Sequence, residues 1–466
     1  MEVKFDENIR LSDFKSVYFI GIGGIGMSAL ARYFMTCGYN VGGYDKTPSS
    51  LTEELIREGC LIHYEDLKNE IPFQFADKNS TLVILTPAIP KEHGELNYLI
   101  HQGFTILKRS EVLGLITKSL KGLCVAGTHG KTTTSTLLAH ILNSSIWKCN
   151  AFLGGISTNF NSNLLVNKQS EFAVIEADEF DRSFLRLSPL ASIITSADPD
   201  HLDIYGTDSQ FQEGFQLYAN KINENGFLIL KEGLKFRSFA PIKTYSVNSE
   251  TADYKGKNLR VENGNFLMDV YFETKCWKDV ELGVPGIHNA ENALACIALL
   301  NLLGLDELQI RAGLKSFLGV KRRFEYIVRN ESQIYIDDYA HHPKEIKALI
   351  DSIRLMYPGK KITGIFQPHL FSRTRDFLDE FAVELEKLDE VILLPIYPAR
   401  ELPIPGITSD LLLSKIDNDN KKLLEPSEVL NHLKLQKNEV LLTIGAGDID
   451  RIVLEIKTIL NNPEIK

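Results

Sequence analysis

The stretch Leu123-Cys124-Val125-Ala126-Gly127-Thr128-His129-Gly130-Lys131-Thr132-Thr133-Thr134 constrains the fold more than any other part of the chain. An apolar, β-prone run meets Gly-x-x-Gly-Lys-Thr, and a helical period follows with Leu137, Leu138, Ile141 and Leu142 on one face. Strand, glycine turn and helix in that order let backbone N–H groups and a helix N-terminus face a polyphosphate. Lys131 supplies a mobile cation for β- and γ-phosphates, and the Thr132 hydroxyl can ligate Mg²⁺. The full P-loop pattern would put its first glycine at position 125, which is Val125, so the loop is a shortened Gly127-x-x-Gly130-Lys131-Thr132. We read it as an ATP or GTP site.

With a net charge of -10, the chain offers no general attraction for nucleic acid or an anionic membrane. Anionic ligands must be met by local Lys, Arg, backbone N–H groups and Mg²⁺. A length of 466 residues exceeds one core, and about three domains are expected. The six cysteines form no Cys-x-x-Cys pair, which argues for reduced thiols rather than disulfides or a zinc cluster. The first residues, Met1 to Glu7, lack the basic-then-apolar order of a secretory leader. The longest apolar stretch, Ala293 to Leu303, contains Asn301 and is too short to span a bilayer. A cytoplasmic protein without membrane insertion is expected, a monomer or weak homodimer.

In the N-terminal part, Ser16 to Ile20 reads as a buried strand running into Gly21-Ile22-Gly23-Gly24-Ile25-Gly26 and a helix. Gly21, Gly23 and Gly26 satisfy G-x-G-x-x-G at a strand-to-helix junction. A second strand ends at Asp45, about twenty residues on, where an acid can meet a ribose. The pattern suits a dinucleotide or any nucleotide diphosphate. A further strand, Thr81 to Leu85, runs into Thr86 and a proline-bounded loop at a carboxyl end.

Past the phosphate loop, Phe172 to Glu176 is a short buried strand discharging into Glu176, Asp178 and Glu179. Carboxylates there suit Mg²⁺, which takes one or two carboxylates plus phosphate oxygens, and Glu176 is the first candidate. Ala191 to Thr195 is a strand leading to His201 in an acidic loop, a candidate second metal position. Asn289 and Asn292, at i and i+3, open an apolar helix. They suit an adenine edge, and capping by Asn289 is an equally simple reading.

In the C-terminal part, Val320-Lys321-Arg322-Arg323-Phe324-Glu325 puts three cations beside an aromatic, more naturally a phosphate contact than a solvated face. Ile334 to Asp338 is a strand breaking into Tyr339-Ala340-His341-His342-Pro343. Strands at Ile362–Phe366, Glu390–Leu394 and Val440–Ile444 complete a strand–helix alternation that predicts a parallel α/β domain.

Together GIGGIGMS, GTHGKTTT, EADEFDRSFL, DHLD, PGIHNAEN, VKRRFE, DDYAHHP, QPH-x-x-SRT and GAGDI, in this order over nearly the whole chain, resemble the Mur ligases, and among them the alanine-adding branch. The resemblance implies an α/β protein of three domains: a Rossmann-like UDP-sugar domain over 1–112, a P-loop ATPase domain over 113–319 and a Rossmann-like amino-acid domain over 320–466. It implies peptidoglycan precursor synthesis in which ATP activates the lactyl carboxylate of UDP-N-acetylmuramate as an acyl phosphate and the L-alanine amine displaces phosphate. By motif position, Gly23, Gly24, Ile25, Gly26, Asp45 and Thr86 would hold the UDP-sugar, with His129 near it. Gly127, Thr128, His129, Gly130, Lys131, Thr132 and Thr133 would hold the ATP phosphates, and Thr132, Glu176 and His201 would bind Mg²⁺. Asn289, Asn292 and Asp338 would complete the nucleotide site, and Arg323 would serve the γ-phosphate. Tyr339, His341 and Arg373 would face the alanine. The catalytic set so implied is Lys131, Arg323, His201 and His341.

Two positions depart from relatives of the motif set. Sibling ligases carry a carbamylated lysine where this chain has Gln216, so no carbamate is expected. Alanine-adding enzymes often have Arg after Gln-Pro-His, where this chain has Leu370, which leaves the alanine carboxylate mainly to Arg373. The alternatives are a recycling ligase that attaches a tripeptide to the same sugar and a non-catalytic nucleotide-binding module. The short run from Arg182 to Pro189 favours the alanine reaction over the first, and the presence of Lys131, Thr132 and Glu176 disfavours the second.

Overall fold

A computed structural model describes residues 9–86, 89–90, 92–199, 205–247, 249–262, 265–330, 332–399, 401–435 and 438–461. The first sheet comprises β1 (Ser16–Ile20), β2 (Asn40–Tyr44), β3 (Leu61–His63), β4 (Thr81–Leu85) and β5 (Thr105–Lys108), in the order β3-β2-β1-β4-β5. All its pairings are parallel. Every residue of β1 is buried, as expected of a strand covered on both faces. The chain grows outward on one side of β1 and then on the other, which leaves a crevice at the carboxyl end of β1.

The second sheet has ten strands: β6 (Lys121–Ala126), β7 (Asn150–Ser157), β8 (Ser162–Leu165), β9 (Phe172–Glu176), β10 (Ala191–Ile194), β11 (Phe227–Lys231), β12 (Ile242–Val247), β13 (Tyr254–Glu262), β14 (Asn265–Phe272) and β15 (Lys275–Leu282). Their order is β15-β14-β13-β12-β11-β10-β6-β9-β7-β8. β6 lies between β9 and β10, parallel to both, with Val125 opposite Glu176 and Ala126 opposite Ile194. Three carboxyl ends therefore open at one level.

The third sheet comprises β16 (Glu325–Arg329), β17 (Ile334–Asp338), β18 (Ile362–Phe366), β19 (Glu390–Leu393), β20 (Lys421–Leu423) and β21 (Val440–Ile444), in the order β16-β17-β21-β18-β19-β20. The strands expected from the sequence, β17, β18, β19 and β21, pair in parallel, whereas β16, which the sequence did not single out, runs antiparallel to β17. The linker from Asn330 to Gln333 is too short for a crossover, and Asn330 closes it by accepting hydrogen bonds from the Ser332 and Gln333 N–H groups.

The chain gathers into two compact units, Met1–Lys257 with Val270–Trp277 and Glu291–Phe317, and Asn258–Asp269 with Lys278–Ala290 and Leu318–Lys466. Within the first unit one apolar core runs continuously from Val17 and Phe34 under the first sheet to Phe152, Phe215 and Tyr218 under the second. The third sheet packs its own core around Tyr335, Ile365, Leu441 and Ile456. Among the described residues no helix is long and apolar enough to cross a membrane.

Gly114, inside the buried helix Arg109–Ser119, shows how closely the first unit is packed, because a Cβ there would meet the carbonyl oxygen of Arg186. Alanine is the better helix former by about 1 kcal/mol, but overpacking against fixed backbone costs about 1–3 kcal/mol. Gly114→Ala should therefore lower the melting temperature by a few degrees; an equal or higher value in a thermal melt would show that the contact yields.

Candidate active site

The helix Lys131–Ser144 starts at Gly130, whose φ of 81° is left-handed, and no side chain caps its first turn. Its N–H groups are thereby left for an anion. Gly127 has a φ of 135°, and a side chain there would collide with Thr195 at the end of the neighbouring strand. The loop is braced from that side: Thr128 Oγ1 donates to the Asp198 carbonyl at 2.7 Å, and Ser196 Oγ accepts from the His129 N–H at 2.8 Å. His129 Nε2 lies 3.6 Å from Asp198. Thr133 sits half-buried in the first helical turn. Asn292 approaches the loop closely enough that a Cβ on Gly130 would meet its Oδ1 at 2.9 Å. Asn289 is buried and donates to the Pro285 carbonyl at 2.6 Å, tying the turn that enters its helix.

Thr132 and Glu176 are brought together, the hydroxyl donating to Glu176 Oε1 at 3.0 Å, while Oε2 accepts the Gly154 N–H at 2.9 Å. A hydroxyl and a carboxylate at this spacing fit a hard cation that draws its remaining ligands from phosphate and water. Among the described residues no group of three or more His, Cys, Asp or Glu side chains could hold a metal by itself. His201, the proposed second metal position, lies outside the described residues.

Lys131 reaches a different acid. Its Nζ donates to Glu179 Oε1 at 2.8 Å and to the Gly127 carbonyl at 2.6 Å. Burial pushes the ammonium toward deprotonation, but Glu179, with Glu176 and Asp178, more than offsets this and holds its pKa above the ordinary lysine value. Burial lifts the Glu179 carboxyl above its usual range, and Lys131 pulls it partly back. Sequence reasoning missed this pairing, because Glu179 is one of several adjacent acids and its burial at 1% exposure is a tertiary property.

In the first sheet's crevice, Gly24 heads the helix Ile25–Thr36, again without a side-chain cap. Asp45 Oδ2 accepts the Gly23 N–H at 2.6 Å, so the acid braces the glycine loop. Thr86 packs where a side chain on Gly21 would stand. Ile25 is 45% exposed, and its carbonyl accepts from Asn163 at 3.0 Å. A Cβ on Gly26 would meet Arg109 Nε at 2.6 Å, and that Nε is buried without a hydrogen-bond partner. Arg109 is a second residue that sequence reasoning missed. It stands far along the chain from the glycines it touches.

In the second unit, the turn before β16 holds Arg322 at φ 61° and Phe324 at φ 49°, both left-handed without being glycine. Such strain persists where surrounding contacts enforce it. Here Asp338 does so, Oδ2 accepting from the Phe324 N–H at 2.7 Å and Oδ1 from the Ala340 N–H at 2.8 Å. The Arg322 and Arg323 guanidiniums lie 5.1 and 4.8 Å from the Tyr339 ring centre. His341 Nδ1 stands 3.0 Å from the Tyr339 carbonyl, an acceptor only, so Nδ1 carries the proton and Nε2 keeps its lone pair. Burial, with Arg373 and Arg323, lowers the His341 pKa against the opposing pull of Glu345. Arg373 reaches His369 Nδ1 at 3.3 Å, and burial with His341 and Arg373 pushes the His369 pKa down to about 4. Leu370, at φ 71°, donates its N–H to the Tyr397 carbonyl at 2.9 Å. The Gln216 amide is bonded to the backbone of Arg237, donating at 2.8 Å and accepting at 3.0 Å.

Two sheets that end in glycine loops on uncapped helices, and a third carrying a cationic turn, define a nucleotide-dependent ligase, and the chain belongs to the Mur ligase family. The family's catalytic domain matches residues 16–120, its middle domain 125–300 and its glutamate ligase domain 322–447. More particularly, the chain is 51% identical over 450 residues to the UDP-N-acetylmuramate–L-alanine ligase of Phocaeicola vulgatus, covering 96% of this chain and 98% of that one. It is 48% identical over 454 residues to the ligase of the same name from Cytophaga hutchinsonii, covering 96% and 97%. Among solved structures, the UDP-N-acetylmuramate–alanine ligase of Thermotoga maritima superposes with a TM-score of 0.78 at 28% identity over 95% of this chain and 98% of that one. A murein peptide ligase from Psychrobacter arcticus shares the fold, with a TM-score of 0.66 at 23% identity over 96% and 99%.

The acids of β17 make the second unit's stability depend on pH. Burial raises Asp337 to about 6, against the pull of Thr443 and Arg322. An unfolded Asp titrates near 3.9, so between pH ~4 and ~6 the folded protein holds a proton that the unfolded chain releases. That contribution is fully present below pH ~4 and is lost as pH rises through 6. Relative to Asp337→Asn, the wild type should become less stable across this window in denaturant titrations. A difference independent of pH would refute the buried ionisation.

Proposed function

We infer that the chain joins L-alanine to the lactyl carboxylate of UDP-N-acetylmuramate, driven by ATP, in the cytoplasmic synthesis of peptidoglycan precursor. The observation that carries this reading is near-full-length identity of 51% to a ligase of that name, with the phosphate loop and its acids in place. Residues 1–112 take the UDP-sugar, 113–319 the ATP and 320–466 the amino acid. The tripeptide-adding alternative has less support, since the murein peptide ligase from Psychrobacter arcticus is 23% identical.

A carboxylate is a poor electrophile, so its oxygen attacks the γ-phosphorus, ADP leaves, and the acyl phosphate then accepts the alanine amine and expels phosphate. The protein's task is positioning and charge neutralisation rather than covalent chemistry. The loop N–H groups and Lys131 hold the phosphates, and Asn289 and Asn292 meet the adenine. Thr132 and Glu176, with His201, would hold Mg²⁺, which supplies charge neutralisation on phosphate oxygens. Arg373 pairs with the alanine carboxylate, and the neutral His341 offers Nε2 to the amine. Arg323 neutralises charge developing on the transferred phosphoryl group.

Phosphate release assayed with UDP-N-acetylmuramate, ATP, Mg²⁺ and a panel of amino acids tests the assignment. Release with alanine is expected, whereas release only with a tripeptide would transfer the chain to the recycling reaction. Lys131→Ala should abolish ligation while calorimetry still detects UDP-N-acetylmuramate binding. Loss of sugar binding with ATP binding intact would overturn the division of labour between the domains. Arg323→Ala should lower kcat by roughly 10³-fold with a smaller change in KM for ATP, because its interaction belongs to the transition state. A kcat within about threefold of wild type, under 1 kcal/mol of barrier, would leave Arg323 a structural residue.

A further inference from the structure

Lys131 is held by three acceptors: the Gly127 carbonyl at 2.6 Å, the Thr128 carbonyl at 3.4 Å and Glu179 Oε1 at 2.8 Å. An ammonium has three N–H donors, so this arrangement occupies all of them. Two acceptors belong to the phosphate loop itself. The third comes from the segment that follows β9 and is fixed there by its backbone. The Glu179 carbonyl accepts from the Tyr205 hydroxyl at 2.7 Å and from the Arg182 N–H at 2.9 Å, and the Arg182 guanidinium lies 5.2 Å from the Tyr205 ring centre. The carboxylate is 1% exposed, and Oε2 is buried without a hydrogen-bond partner. It is distinct from the candidate Mg²⁺ ligand, since both oxygens of Glu176 are engaged by Thr132 and Gly154.

A buried carboxylate with one oxygen unsatisfied is costly and is tolerated beside a cation. The contact it makes here is with the one side chain that incoming phosphates also require. We propose that Glu179 is an internal competitor of the nucleotide: it holds Lys131 on the empty loop, yields it when phosphates bind, and draws it back as product leaves. This rests on the reading of Gly127 to Thr132 as the ATP site and adds a positioning residue to it. Apparent affinity is the intrinsic affinity multiplied by the fraction of protein whose lysine is free, so the pair weakens binding by its own stability. Repulsion between the carboxylate and the phosphates acts in the same direction. Removing the charge of Glu179 should therefore tighten nucleotide binding, whereas mere damage to a buried position would weaken it.

The test is calorimetry of Mg²⁺-ADP and a non-hydrolysable ATP analogue binding to the full-length wild type and to Glu179→Gln, with folding checked by thermal melt. The Kd for ADP should fall at least about threefold, through slower dissociation in stopped-flow displacement, and kcat and the KM for ATP should fall together. In a Lys131→Ala background the same substitution should tighten Kd by less, since only the repulsion between carboxylate and phosphates is then removed. Glu179→Asp keeps the charge but withdraws it by one methylene, and should shift Kd in the same direction by less, which serves if the Gln variant does not fold. Equal or weaker binding by a folded variant, or equal tightening without Lys131, overturns the proposal. Failure of the wild type to bind either nucleotide would instead overturn the ATP-site reading, and this proposal with it.

Discussion

The first turn of the helix Lys131–Ser144 keeps its N–H groups free of any side-chain cap, and the central sheet is arranged around that omission. Several other helices of the chain behave differently: Ser49, Thr207, Asp306 and Thr408 each accept a hydrogen bond from the first turn they precede. Such caps are worth about 1 kcal/mol apiece. The two helices that follow glycine loops, Ile25–Thr36 and Lys131–Ser144, forgo that gain and expose the positive end of the dipole to the crevice instead. Parallel strands with a common register put Glu176 and the Thr195–Asp198 loop at the same level as the phosphate loop. The apolar strand interiors are what make this alignment stable.

Charge is handled differently in the two units. Around the phosphate loop a chain of net negative charge places one lysine among three acids, so local potential is set by which acid holds the ammonium. In the second unit, arginines and acids lie interleaved around two histidines. Arg323 and Arg373 act on His341 and Arg373 on His369, opposed by Glu345 and Glu401, while the buried Asp337 faces Thr443 and Arg322 and the buried Asp338 holds the Phe324 and Ala340 N–H groups. Burial, aided by the arginines, holds both histidines below the ordinary imidazole pKa.

Much of this was legible in the sequence because continuous apolar runs such as Ser16–Ile20, Phe172–Glu176, Ile362–Phe366 and Val440–Ile444 leave little choice but a strand covered on both faces. Polar clusters following those runs located the crevices, since side chains at a strand's carboxyl end need no long-range information to be placed. The antiparallel β16 was missed because direction depends on linker length and on Asn330, a local detail beside a prominent cationic motif. Glu179 and Arg109 were missed for a different reason. Each matters through a partner distant in the chain, Lys131 and Gly26, and burial of a charged side chain leaves no periodic mark.

The bracing of the Arg237 backbone by Gln216 relies on a side chain that carries no reactive amine. A lysine at such a site presents a nucleophilic amine to dissolved carbon dioxide, and its charge state then follows the local bicarbonate supply. A carboxamide has no lone pair available for that addition. Its two hydrogen bonds to a neighbouring backbone are set by folding alone, so Gln216 finds its partners here without any added group.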